Sequence, residues 1–138
     1  MNVLSTIAVP VFLETNTEPG QLVRQWARLY HYGSLAAPPM AVTTFALYTY
    51  SALGLCAGGQ PWELLAAAGA TTLFIVPFTL GVMLPTNNAL HGLEARANAG
   101  EALKMEGLRA LVVKWGWLHL VRSLFPLAGV LLGISAVL

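Results

Sequence analysis

His119 and Arg122 lie three residues apart in the stretch WGWLHLVRSLFPL, Trp115 to Leu127, where Arg122 is the only charged side chain. At helical spacing they share one face with Trp115 and Pro126. Ionisable side chains inside an apolar helix are costly and usually turn towards a bundle interior or a cavity. An imidazole that titrates near neutrality, beside a permanent cation, suits proton handling or the orientation of a ligand. Pro126 has no N–H, so the carbonyl of Arg122 loses its usual helical donor and is open to another bond. The competing reading is structural: Arg122 snorkels to an interface or pairs for packing, and His119 bonds a backbone carbonyl.

A second group closes an apolar run, VPFTLGVMLPTNNALHG, Val76 to Gly92. Pro77 and Pro85 each interrupt a helical hydrogen-bond ladder, and the Thr79 hydroxyl suits a bond back to it. Thr86, Asn87, Asn88 and His91 follow at once. Thr86 or Asn87 would serve as the N-cap of a following helix. Two amides and a histidine at a helix break also suit an oxyanion or carbonyl site in a water-poor pocket. No Gly-rich phosphate loop, CxxC, HExxH or GxSxG is present, and the methionines form no soft-metal motif.

The elements that must position these side chains are membrane elements. Of 138 residues, 57% are hydrophobic and 9% charged, against about 25% charged in an ordinary soluble domain. Mean hydropathy is +0.67. The net charge of +1 excludes a cationic nucleic-acid module, and the single cysteine, Cys56, excludes an internal disulfide or a multi-cysteine metal site. Cys56 reads as a small apolar filler.

One all-α domain, residues 1–138, is expected: a four-helix transmembrane bundle with spans at approximately 2–14, 38–57, 64–84 and 113–138. The third is uncharged, and at ~1.5 Å per residue it covers roughly 30 Å of hydrocarbon. The first is too short to cross unaided and contains Pro10, which suggests the remainder of a longer helix. Tyr48 and Tyr50 indicate that part of the second span meets other helices. Gly129 and Gly133 form a GxxxG pair that lets a neighbouring helix approach, with homo-oligomer contact as the alternative. Between spans, PGQLVRQWARLYHYG from Pro19 places Leu22, Val23, Trp26, Leu29 and Tyr30 on one stripe, suited to an amphipathic helix in the headgroup layer. Residues Thr86 to Met105 read as a helix or helical hairpin broken near Gly100. Arg24, Arg28, Arg96, Lys104 and Arg109, with Lys114 at the start of the last span, put connections 15–37 and 85–112 in the cytoplasm, with both termini on the opposite side. Trp62 suits an interfacial anchor there.

Taken together, PFTLGVMLPTNNAL (Pro77 to Leu90) followed by WGWLHLVRSLFPL resembles the small membrane family that includes the fungal anthrone oxygenases. VPVFLET (Val9 to Thr15) and QWARLYHYGSLAAPP (Gln25 to Pro39) resemble that family's first-helix end and first connection, so the likeness runs almost the length of the chain. The family pattern starts with a fuller first helix than this one. The resemblance implies a monooxygenase, an integral membrane oxidoreductase that converts an anthrone to an anthraquinone with molecular oxygen, with no cofactor and no metal assigned. Many bacterial relatives have no known substrate.

An anthrone has an acidic methylene opposite its carbonyl, and its anion is electron-rich enough to reduce oxygen directly. The protein then needs only a base, a donor for the developing oxyanion and an apolar slot. His119 is the candidate base, with Arg122 and the Asn87 amide as oxyanion donors. Trp115, Trp117 and Phe78 are candidates to sandwich flat rings, with Thr86, Asn88 and His91 beside them, although Trp115 and Trp117 cannot face the same way on a helix. The alternative is a non-catalytic membrane scaffold or subunit. A small transporter is a third reading, disfavoured because the central spans lack charge.

Overall fold

The computed structural model describes residues 4–138, with side chains from residue 6 onward. The start of the expected first span, residues 2–3, lies outside the described residues. All regular elements among the described residues are helical. A π-turn, Leu4–Ala8, leads into α1 (Val9–Thr15), followed by α2 (Pro19–Ala57), α3 (Glu63–Leu73), α4 (Ile75–Phe78), α5 (Leu84–Asn98) and α6 (Met105–Ser135). A second π-helical segment, Thr79–Met83, joins α4 to α5, so Glu63–Asn98 forms one rod. The rod, α2 and α6 are each long and apolar enough to cross a membrane.

The amphipathic segment from Pro19 is helical, but it is not a separate element. It continues through Pro38 and Pro39 into the second span, giving a helix of 39 residues. Proline's fixed φ is helical, and its cost is the missing donor, here for the carbonyls of Ser34 and Leu35. The apolar stripe is turned towards protein. Leu22, Val23 and Trp26 are completely buried and pack with Leu90, Leu108 and Val112. Because α5 and α6 extend past their apolar spans, they offer that stripe a protein surface. Asn16 ties α1 to α2, its Nδ2 donating to the Phe12 carbonyl at 2.7 Å and to Gln25 Oε1 at 2.8 Å.

The rod has no gap where Thr86 or Asn87 was expected to start a new helix. Both lie inside α5, and no side chain caps its first turn. Pro85 removes the donor for the Gly81 carbonyl, and the wider π register over Thr79–Met83 accommodates that loss without stopping the chain. The break comes at Gly100, as the sequence suggests. Its φ of +81° and the bond from the Glu101 N–H to the Arg96 carbonyl (3.0 Å) make a Schellman-type stop. Arg96 Nε also donates to Glu101 Oε2 at 2.7 Å across the turn.

The GxxxG pair is used inside the chain. A Cβ on Gly129 would sit 2.3 Å from Thr72 Oγ1 and 2.9 Å from the Ala68 carbonyl, and one on Gly133 would sit 2.8 Å from the Tyr48 ring. α6 therefore crosses α3 and α2 at near-backbone contact. The Tyr48 hydroxyl donates to the Gly129 carbonyl at 3.2 Å, whereas Tyr50 is 79% exposed. Tyr48→Phe should cost about 0.5–1.5 kcal/mol, read by thermal unfolding in nanodiscs. Cys56 is exposed at the end of α2 rather than filling a packed site, because Gly58 and Gly59 turn the chain away there. Outward-facing Leu47, Leu53, Phe74, Leu80, Leu124 and Leu131 give the bundle a broad apolar exterior suited to lipid.

Candidate functional site

A cavity of about 300 Å³ lies where α2, the rod and α6 meet. That is the lower end of the range for small-molecule pockets, ~300–1,000 Å³. α6 contributes Trp115, His119 and Arg122, which its period places on one face. The rod contributes Ile75, Thr79, Met83 and Asn87, a four-residue spacing that carries one face through the π segment. α2 contributes Tyr30, Gly33, Ala37 and Ala41.

The polar centre is built around Arg122. Its Nη2 lies 2.8 Å from His119 Nε2, and its Nη1 lies 3.4 Å from Thr79 Oγ1. A guanidinium only donates, so Nε2 is the accepting nitrogen and the neutral imidazole carries its proton on Nδ1. The Thr79 hydroxyl is held in turn by the Ile75 carbonyl at 2.6 Å. His119 and Asn87 are 3% and 2% exposed. Three buried polar atoms of the lining residues have no partner: Arg122 Nε, Trp115 Nε1 and Asn87 Oδ1. Two donors and one acceptor on cavity-lining residues are thus left without protein partners, and an unsatisfied buried polar group is expensive to keep.

Of the residues singled out from sequence, the cavity brings together Trp115, His119, Arg122 and Asn87. Trp117 points away and is 65% exposed, since two residues along a helix turn a side chain through about 200°. Asn88 is exposed beside the buried Asn87, because one residue along the helix turns its side chain about 100° away. Thr86 is buried but does not line the cavity, and Phe78 packs on Phe125 instead, ring centroids 5.3 Å apart. His91 belongs to a second, polar hollow with Arg28, His31 and Glu94, its Nδ1 3.3 Å from Glu94 Oε2. Its ring contacts Trp26 and Tyr30, and Trp26 lies edge-on to Trp115 (5.9 Å). Tyr30 and Ser34 line both hollows and form the partition between them. Trp117→Ala should shift stability by no more than about 0.5 kcal/mol in thermal unfolding in nanodiscs, the expectation for an outward side chain.

Sequence reasoning missed Met83 and the α2 wall as lining residues. The available signal was the spacing of Gly33, Ala37 and Ala41, four apart and all small. Among the described residues, no three His, Cys, Asp or Glu side chains gather to hold a metal ion.

The anthrone oxygenase family model matches residues 26–132. The chain belongs to the anthrone oxygenase family. It is 50% identical over 133 residues to anthrone oxygenase AgnL2 of Paecilomyces divaricatus, covering 94% of this chain and 81% of that protein. It is 46% identical to anthrone oxygenase dmxR16 of Cryptosporiopsis sp., covering 98% of this chain and 75% of that one. With anthrone oxygenase nsrD of Aspergillus novofumigatus the identity is 48%, over 98% and 82%. The family match takes in all of the cavity's lining residues, from Leu29 to Arg122. No solved structure matches the chain.

Proposed function

We propose that this anthrone oxygenase family member oxidises the methylene of a planar anthrone to the carbonyl of an anthraquinone, using molecular oxygen. The observation that carries the reading is the His119–Arg122 pair, hydrogen-bonded at an apolar cavity where Trp115 Nε1, Arg122 Nε and Asn87 Oδ1 have no partner.

His119 is the base and takes one methylene proton at Nε2. Arg122 donates to that nitrogen at rest, so the base is uncovered when the guanidinium turns to the substrate oxygen. The oxygen that gains charge as the proton leaves is thus met by the donor that frees the base. The anion passes one electron to oxygen, and the radical pair joins to form a C–O bond. The imidazolium returns its proton to the peroxide. Loss of the remaining C–H proton and of hydroxide then gives the carbonyl and water, so anthrone and oxygen yield anthraquinone and water. Trp115 Nε1 and Arg122 Nε are donors for the carbonyl oxygen, and Asn87 Oδ1 is an acceptor for a phenolic O–H.

The six basic residues other than Arg122 are carried by the first half of α2, the end of α5, the turn after it and the start of α6. The positive-inside rule assigns that end to the cytoplasm and the Gly58–Trp62 turn to the opposite side.

The test is oxygen uptake by the purified chain in nanodiscs supplied with an anthrone under ¹⁸O₂. The expected result is one oxygen molecule consumed per anthrone, with label in the new carbonyl. Absence of enzyme-dependent uptake would overturn the reading in favour of a non-catalytic scaffold.

A further inference from the structure

α2 packs against α3 and against α5, but it makes few contacts with the Ile75–Met83 stretch that lies between them. Both sides of that gap line the cavity: Gly33, Ala37 and Ala41 from α2, and Val76, Thr79 and Leu80 from the rod. Val76 and Leu80 are also 44% and 61% exposed, so the cavity wall is continuous with the outer, lipid-facing surface. A Cβ added at Gly33 would meet nothing within 4 Å.

From these observations we infer that the cavity opens sideways into the hydrocarbon layer between α2 and Ile75–Met83, and that Gly33, Ala37 and Ala41 set the width of the opening. The molecule admitted is a flat, lipid-soluble polycyclic phenol, which rests on the proposed anthrone chemistry. Behind the opening is a built site, with Asn87 2% exposed and its Oδ1 unpartnered. The proline at 38 adds a further acceptor, because the Ser34 carbonyl on the wall has lost its helical donor. An unsatisfied carbonyl at this depth is tolerated only where it lines a cavity or is buried in protein. A three-ring phenol partitions into the bilayer, so a lateral opening lets it reach His119 without crossing the polar hollow at Arg28, His31 and Glu94.

The opening is tested independently of turnover by photolabelling in nanodiscs of phosphatidylcholine that carries a diazirine on its acyl chain. Peptide mapping should find adducts on Met83, which is 1% exposed, as well as on outward Leu80 and Leu124. Ala37→Phe, and Gly33→Leu as a second variant with room for its side chain, should remove the Met83 adducts and keep the outward ones. No adduct on Met83 in the wild-type chain, or adducts unchanged in both variants, overturns the lateral opening. In the kinetic arm, Ala37→Phe should lower kcat/KM for an anthrone about ten-fold or more. Loss of kcat/KM with His31→Trp and not with Ala37→Phe would place access through the polar hollow and overturn the inference. Met83 adducts in a wild-type chain that turns over no anthrone would leave the opening standing and remove the proposed reaction.

Discussion

His119→Gln should lower anthrone turnover by about 10²–10⁴-fold, the range that a positioned general base contributes, while the protein still folds. Glutamine is the informative replacement because its Oε1 can accept the bond that Arg122 Nη2 now gives to Nε2 at 2.8 Å. Arg122 then keeps a partner, and the cavity keeps most of its volume. The proton acceptor alone is lost. His119→Ala removes the same base but also leaves a buried guanidinium N–H unpaired, so it confounds chemistry with stability. Turnover by His119→Gln at the wild-type rate, with unfolding unchanged, would exclude the base role. Arg122→Gln should fall in the same assay by about 10²–10³-fold, the effect of deleting an oxyanion donor. Because the two residues act as one unit, the double variant should lose little more than the worse single one.

The largest stability effect is expected at Gly129. Its added Cβ would lie 2.3 Å from Thr72 Oγ1 and 2.9 Å from the Ala68 carbonyl. Neither neighbour can give way cheaply. The carbonyl is helix backbone, and the hydroxyl is itself bonded to that carbonyl at 2.9 Å. α6 must therefore move off α3, which also strains the Tyr48 contacts with Gly129 and Gly133. Gly129→Ala should cost about 1–3 kcal/mol and Gly129→Val more, read by thermal unfolding in nanodiscs. Gly54→Ala is the control, since a Cβ there meets nothing within 4 Å. It should be neutral or stabilising by roughly 0.5–1 kcal/mol, the helix preference for alanine. If Gly129→Ala changed only the oligomeric state and left unfolding untouched, the GxxxG pair would be a dimer contact instead.

The helices were legible because apolar length is a direct consequence of bilayer thickness, and the face carrying Trp115, His119 and Arg122 follows from helical period alone. Joins between elements were less legible. Consecutive prolines at 38 and 39 look like a helix end in one dimension, yet α2 passes through them, with Ser34 on the cavity wall and Leu35 exposed. The PTNN segment likewise reads as a new N-terminus, but the π register carries the rod across it. Period separates Asn87 from Asn88 and Trp115 from Trp117 only once the inward direction is known, and that direction comes from tertiary packing. The same holds for Phe78, which Phe125 draws aside. The α2 wall was hard to find because glycine and alanine carry no chemical signature. Their contribution is the space they leave.

The central claim is that His119 removes a methylene proton from an anthrone held in the membrane cavity. The most direct measurement is hydrogen–deuterium exchange at that methylene, without oxygen, in D₂O-equilibrated nanodiscs. The wild-type chain should accelerate exchange well beyond the protein-free rate, and His119→Gln should abolish the acceleration. Equal exchange by wild type and His119→Gln, or oxidation in air by a wild-type chain that catalyses no exchange, would contradict it.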